Sequence, residues 1–293
     1  MIVAAIPAYN EEKTIAKVVV RTMKHVDKVI VIDDGSTDDT ATIAEHLGAH
    51  IVTHEENLGY GAAIRSCFSV ARDLNCDTLV ILDGDGQHNG DDIPKLLGPI
   101  QAGEAEIVIG SRLVGTDVSE IPSYRRAGLR LINAATNRVA KQKVADTQSG
   151  FRAYSRKAVQ RIRPYERGMG VTSEIDIRSG DAGLTIVEVP VGVAYQGLET
   201  SSQSPISHGL EILSAVLRIA GEKHPVALFG IPGLVSIIGG LGGWLWVANR
   251  FAEVRQLPIG IALMSTILLM GGILAVMTGV ILYTIADVSR RLQ

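Results

Sequence analysis

Two carboxylates flanking a glycine, Asp83-Gly84-Asp85, with Gln87 and His88 just beyond, form the most chemically pointed segment of the chain. Hard oxygen ligands on alternate positions suit Mg²⁺ or Mn²⁺ bridging a diphosphate, because these ions prefer carboxylate and phosphate oxygens and retain water. The neighbouring glycines let the loop fold tightly. The same residues also describe a turn with solvated acids, and an Asp-x-Asp alone does not decide between the two. A second acidic pair, Asp33-Asp34, precedes Gly35-Ser36. It reads either as a turn whose side chains serve the backbone or as a carboxylate accepting from a base N–H or a ribose hydroxyl, with Pro7 and Tyr9 flanking the base.

These groups need elements to hold them. Short β-branched runs at Ile2–Ile6, Val29–Ile32, His50–Thr53, Thr78–Leu82 and Ile107–Ile109 alternate with amphipathic stretches at Lys13–Met23, Thr40–Leu47, Tyr60–Leu74 and Pro94–Gln101. Strand, helix, strand in succession predicts a parallel sheet with crossover helices, whose ligands sit beyond the carboxyl ends of the strands. A polar cluster follows each of these strands: residues 7–12, 33–38, 57–59, 83–88 and 110–112. A basic helix is expected between Ser123 and Val144, where Arg125, Arg126, Arg130, Arg138, Lys141 and Lys143 interleave with apolar residues. Such a helix lies at a membrane surface, holds an anion, or is an ordinary solvated face. A late strand is read at Thr185–Val193 and an amphipathic helix at Leu210–Ala220.

Net charge is -3 over 293 residues, which argues against a nucleic-acid partner. The mean hydropathy of +0.23 is unevenly distributed. No charged residue occurs from Val226 to Asn249 or from Leu257 to Ala286. As a helix the first run would span about 35 Å, against a hydrocarbon core of about 30 Å. The reading is a membrane anchor over 221–293, a hairpin with transmembrane helices at about 226–248 and 259–286, behind a water-soluble domain at 1–220. Paired glycines at 239–240, 242–243 and 271–272 suit close helix packing, within one chain or between copies in a homo-oligomer. Two cysteines, Cys67 and Cys76, support neither a disulfide framework nor a four-ligand zinc site, as in a reducing, cytoplasmic setting. The first ten residues lack the character of a secretory signal.

Six motifs together carry a resemblance: Ile6-Pro-Ala-Tyr-Asn-Glu-Glu12, Val31-Ile-Asp-Asp-Gly-Ser-Thr-Asp38, Asn57-Leu-Gly-Tyr-Gly61, Leu82-Asp-Gly-Asp-Gly-Gln-His88, Gly110-Ser-Arg112 and Asp146-Thr-Gln-Ser-Gly-Phe-Arg152. In order and spacing they resemble the family 2 inverting glycosyltransferases of GT-A fold, most of all the dolichyl-phosphate mannose or glucose synthase branch. The resemblance covers about residues 1–220, and loosely the tail. It implies an α/β fold of Rossmann-like GT-A type, with a mostly parallel sheet and flanking helices.

It also implies roles. Pro7, Tyr9 and Glu11 match the first nucleotide-binding motif, and Asp34, with Asp33 beside it, the acid that holds base or ribose. Asp83 matches the residue on the sugar and ribose side, with Gly84 between it and Asp85; Asp85 and Gln87 match the metal ligands. Gly150, Phe151 and Arg152 match the segment lining the sugar pocket. Arg112 matches an arginine that approaches phosphate of donor or acceptor, and Arg126 and Arg130 are candidates for the acceptor phosphate. The loop Gln196–Ser207 holds no Lys or Arg, so diphosphate charge would be met by the metal and by arginines elsewhere.

The implied reaction is a single displacement from a nucleotide-diphosphate sugar (GDP-mannose, UDP-glucose or UDP-GlcNAc) to a polyprenyl phosphate. Such an acceptor is already anionic and needs no general base. Two rivals stand beside it. Transfer to a hydroxyl of a lipid-linked or surface glycan would need a base, for which Glu174 and Asp176 are the candidates. A non-catalytic, membrane-tethered nucleotide-sugar binder, or an accessory subunit for lipid flipping, would not require the Asp83-x-Asp85 pair.

Overall fold

A computed structural model describes residues 1–114, 123–140, 142–192, 205–223 and 225–291. The chain divides into two compact units, Met1–Val216 and Leu217–Gln293.

The first unit is built on a seven-stranded sheet of order β3-β2-β1-β4-β6-β5-β7. Its strands are β1 (Ile2–Ala8), β2 (Lys28–Asp33), β3 (His50–Thr53), β4 (Thr78–Ile81), β5 (Ile107–Ser111), β6 (Arg152–Ser155) and β7 (Ile186–Pro190). Strands β1 to β4 pair in parallel, as do β5 and β7. The expected parallel sheet is therefore mixed: β6 lies antiparallel to both β4 and β5, with Arg152 opposite Ile81 on one side and Ile109 on the other. The reason is direction. The chain leaves the sheet at the end of β5, and β6 begins at that same edge, so it can only run back.

Helices α1 (Ile15–Thr22), α2 (Thr40–His46), α3 (Tyr60–Asp73), α4 (Ile93–Gln101), α5 (Ser123–Ala140), α6 (Arg156–Arg161) and α7 (Val171–Asp181) lie between the strands in sequence, and α8 (Pro205–Lys223) follows β7. Alternation along each strand sends side chains to opposite faces. Val3, Ala5, Ile30 and Ile32 join Ile64, Phe68, Val159 and Ile175 in one core layer. Ala4, Ile6, Val29 and Val31 join Ile15, Val19, Leu96 and Leu97 in the other. Two layers of apolar packing fix the strand register, because a one-residue slip would exchange the faces. Helix α7 is buried nearly all round, Val171 to Ile177 included.

The second unit holds two helices, α9 (Ile231–Val254) and α10 (Ile259–Arg291), preceded by a π-helical turn at Val226–Gly230. The spans Val226–Val254 and Ile259–Ile285, of 29 and 27 residues, are long and apolar enough to cross a membrane. In their most apolar stretches only 11% and 17% of residues are buried within the structure, so the apolar side chains face outward. That pattern fits lipid better than a soluble core. The helices meet along glycines. A Cβ on Gly233 would stand 2.8 Å from the carbonyl oxygen of Gly272, and one on Gly272 2.6 Å from that of Gly233. Of the paired glycines read from the sequence, Gly240, Gly243 and Gly272 lie on this seam, whereas Gly239, Gly242 and Gly271 face open space.

Candidate functional site

The C-terminal ends of β1, β2 and β4 bring the acidic loops together. The amide of Asp34 donates to the carbonyl of Ala8 at 2.9 Å, and that of Gly84 to the carbonyl of Pro7 at 3.1 Å. Thr14 Oγ1 stands 2.7 Å from the Gly84 carbonyl and 2.9 Å from Glu11 Oε2, tying the loop after β1 to the Asp83–Asp85 turn. Pro7 is buried in this seam, while Tyr9 is 46% exposed and able to flank a planar ligand.

Asp83, Asp85 and Glu11 form the electrostatic centre. Burial pushes the Asp83 carboxyl up to about 7, and the neighbouring Asp85 adds to the rise; the Tyr60 hydrogen bond and Arg112 oppose it. Asp85 is raised by burial against the hydrogen bond from the Gln87 amide, which donates to its Oδ1 at 2.9 Å. Glu11 is raised by burial too, with Asp85 and Asp38 contributing. Beyond burial, Asp85 adds to the rise at both Asp83 and Glu11, so the negative charge of this centre favours a cation. Among the described residues no three His, Cys, Asp or Glu side chains converge to hold a metal by themselves. The donor set is thus one or two carboxylates with the Gln87 amide nearby. It fits an ion such as Mg²⁺ or Mn²⁺, which takes few protein ligands and completes its shell with phosphate oxygens and water.

Several residues expected to contact the donor are tied to other groups of the protein. Asp34 is buried, and its carboxylate accepts from the amides of Leu58 at 3.0 Å and Gly59 at 2.9 Å, with His54 Nδ1 at 2.6 Å. In this way it clamps the 57–60 loop. Asp33 is buried and accepts from the Ser36 amide at 3.2 Å, closing its own turn. Phe151 is fully buried, packing on the His88 ring at 5.3 Å between centroids. Arg152 is 1% exposed and spends its guanidinium on Asp176 (2.6 and 3.3 Å) and on the carbonyls of Ser149 and Thr147 (2.7 and 2.8 Å). Of that segment only Gly150 borders the acidic centre. A Cβ there would collide with Asp83 Oδ2 and come within 2.8 Å of the Tyr60 hydroxyl.

Arg112 grips Asp146 through two parallel bonds, Nε to Oδ2 at 2.8 Å and Nη2 to Oδ1 at 2.7 Å. Asp146 is wholly buried; burial alone would raise its carboxyl, but Arg112 holds it below the usual range. Any phosphate contact of Arg112 is therefore made by a guanidinium already oriented by this pair. Arg130 is exposed on α5. Arg126 lies on the same helix with its side chain outside the described residues, as do residues 196–204 of the loop without basic residues.

The two candidate bases are also committed. Glu174 is buried and accepts from the amides of Tyr165 (2.9 Å) and Glu166 (2.8 Å) and from Arg178 Nε (2.7 Å). Asp176 is wholly buried against Arg152. Sequence reasoning gave no role to Tyr60 or His54, and only the Asn57-to-Gly61 motif hinted at the first. Nor did it give one to His88, whose ring is buried and lowered to about 4 by burial and by Arg112.

Comparison with known proteins fits this geometry. Residues 3–163 match the profile of Glycosyl transferase family 2. The chain belongs to that family. Glycosyltransferase AglJ of Haloferax volcanii is 32% identical over 278 residues, covering 94% of this chain and 90% of the relative. A UDP-N-acetylglucosamine–dolichyl-phosphate N-acetylglucosaminyltransferase of Methanococcus voltae is 31% identical over 248 residues, covering 76% and 97%. Among solved structures, glucosyl-3-phosphoglycerate synthase of Mycobacterium tuberculosis, crystallised with Mn²⁺, UDP and glucosyl-3-phosphoglycerate, superposes with a TM-score of 0.61 at 26% identity, covering 75% of this chain and 80% of that one. The fold of this glycosyltransferase is GT-A, followed by two apolar C-terminal helices.

Proposed function

We propose that this family 2 enzyme moves a sugar from a nucleotide-diphosphate donor to a polyprenyl phosphate such as dolichyl phosphate, at the cytoplasmic face of a membrane. The observation that carries the acceptor is the commitment of both candidate bases: Glu174 and Asp176 are buried and hydrogen-bonded within the protein. Attack by a sugar hydroxyl needs a proton acceptor, whereas a phosphate monoester arrives deprotonated. The outward-facing apolar helices and the dolichyl-phosphate acceptor in the name of the Methanococcus voltae relative support the same choice. The UDP and Mn²⁺ of the mycobacterial neighbour support a nucleotide-diphosphate donor.

Tyr9 and the buried Pro7 would bracket the base, with Glu11 behind them. Asp83 faces the sugar and ribose, while Asp85 and Gln87 would hold Mg²⁺ or Mn²⁺. When bound, the ion offsets the charge that develops on the departing diphosphate. Arg112, fixed in orientation by Asp146, and the exposed Arg130, with Arg126 on the same helix, supply positive charge for the acceptor phosphate. The acceptor oxygen attacks the anomeric carbon opposite the leaving group, and the configuration inverts.

Membranes carrying the enzyme are incubated with radiolabelled GDP-mannose, UDP-glucose and UDP-GlcNAc, with and without dolichyl phosphate and Mn²⁺. Label should enter a mild-acid-labile lipid only when dolichyl phosphate is present. Label entering a glycan hydroxyl without it would overturn the acceptor assignment. Asp85→Ala should abolish transfer, and full activity in that variant would remove Asp85 from the metal site.

A further inference from the structure

Within the acidic centre a phenol touches the Asp83 carboxylate. The Tyr60 hydroxyl donates to Asp83 Oδ1 at 3.0 Å. The other oxygen of Asp83 lies over the Cα of Gly150, where a Cβ would collide with it and approach the Tyr60 hydroxyl to 2.8 Å. Asp83 thus has one oxygen held by a phenol and the other seated on bare backbone, which leaves its carboxylate a single orientation.

Tyr60 is in turn held from behind. It opens α3, directly after Gly59, whose φ of 91° is a conformation that favours glycine. The amides of Leu58 and Gly59 are clamped by the two oxygens of Asp34. His54 braces that carboxylate, with Nδ1 at 2.6 Å from Asp34 and Nε2 at 2.8 Å from Ser66 Oγ. On its other flank the amide of Gly61 donates to the Arg167 carbonyl at 2.8 Å, and a Cβ on Gly61 would stand 2.7 Å from that oxygen. The start of α3 is therefore pinned by Asp34 on one side and by the 166–167 backbone on the other.

We propose that Tyr60 is a positioning residue that aims the Asp83 carboxylate at the donor, and that Asp34 contributes to the reaction by holding the start of α3 from which Tyr60 reaches Asp83. This deepens the transferase reading and rests on it. A hydrogen bond to a charged group is worth about ten- to a hundredfold in an equilibrium or rate. The acceptor side has no share in the contact, so its parameters should stay in place.

The test uses full-length enzyme in detergent, with Tyr60→Phe, which keeps the ring and removes the donor. Its kcat/KM for the sugar donor should fall about tenfold or more, with KM for dolichyl phosphate and the thermal unfolding midpoint unchanged. Gly150→Ala, which presses on Asp83 from the other side, should reproduce the donor-side loss. Titration with UDP or GDP plus Mn²⁺ reads the donor side without turnover, and Tyr60→Phe should bind several-fold more weakly. Tyr60→Phe with wild-type kcat/KM and nucleotide affinity would overturn the proposal. So would a loss shared with the acceptor KM and accompanied by a lowered unfolding midpoint. If the wild-type enzyme transfers nothing to dolichyl phosphate, the acceptor reading fails alone, and the nucleotide titration still decides the role of Tyr60.

Discussion

Replacing Asp176 by Ala separates a structural from a donor-binding role for Arg152. In the folded protein Arg152 is 1% exposed, with four hydrogen bonds that include two to Asp176. Removing the carboxylate leaves a buried guanidinium with two carbonyls and no counter-charge, which costs about 3–5 kcal/mol. For a domain of this size the urea dependence is about 3 kcal/mol per molar, so the unfolding midpoint should drop by about 1–1.7 M. Tryptophan fluorescence would miss this, because Trp244 and Trp246 both lie in the second unit. Thiol labelling reads the first unit, since Cys67 and Cys76 are free and buried in its core. Full-length enzyme in detergent is equilibrated in urea, pulsed with a thiol reagent and analysed by mass. The double substitution Arg152→Met with Asp176→Leu removes both charges and should recover most of the loss. A Asp176→Ala variant with an unchanged labelling midpoint and a raised donor KM would refute the reasoning and restore Arg152 to the sugar pocket.

Two further outcomes follow from the same structure. The Asp146 carboxyl titrates below its unfolded value because of Arg112. The pair therefore stabilises the fold above about pH 4, and the contribution is lost as pH falls through the lower folded value. Asp146→Asn should weaken the fold at neutral pH and flatten the stability slope below pH 4, measured by thiol labelling across pH. In the second unit, Gly233→Leu should disrupt the helix pair, because its Cβ would meet the Gly272 carbonyl at 2.8 Å, whereas Gly239→Leu points into open space and should be tolerated. Limited proteolysis of the detergent-solubilised hairpin distinguishes the two.

Local pattern made the first half of the sheet legible. Alternating β-branched residues and amphipathic helices mark β1 to β5 and α1 to α4 to within a few residues, and the polar clusters at their ends mark the site. Strand β6 was not legible, since four residues between an irregular loop and a short helix carry no periodicity of their own. Its place is set by pairing with strands more than 40 residues away in sequence. Helix α7 escaped for a different reason: burial on nearly every side erases the amphipathic signal. The acids themselves are legible in the sequence, but the protein groups that hold them are not. Asp34 and Arg152 are polar residues at the right strand ends, and only the positions of Leu58, Gly59 and Asp176 reveal that their bonds are spent inside the protein.

The antiparallel return of β6 also makes the enzyme modular. Everything between Ser111 and Arg152 leaves and re-enters the sheet at one edge, with the exit fixed by β5 and the re-entry fixed by the pairing of Arg152 with Ile81 and Ile109. Within it the exposed positions of α5, such as Arg130, Leu131, Ala134 and Arg138, are free to vary, whereas the wholly buried Asp146, Thr136 against Ser173 and Gly150 beside Asp83 are tied to the rest of the unit. Exchanging those exposed positions for their counterparts in another family 2 enzyme tests whether the acceptor is chosen on α5 while Gly150 and Asp83 keep their places.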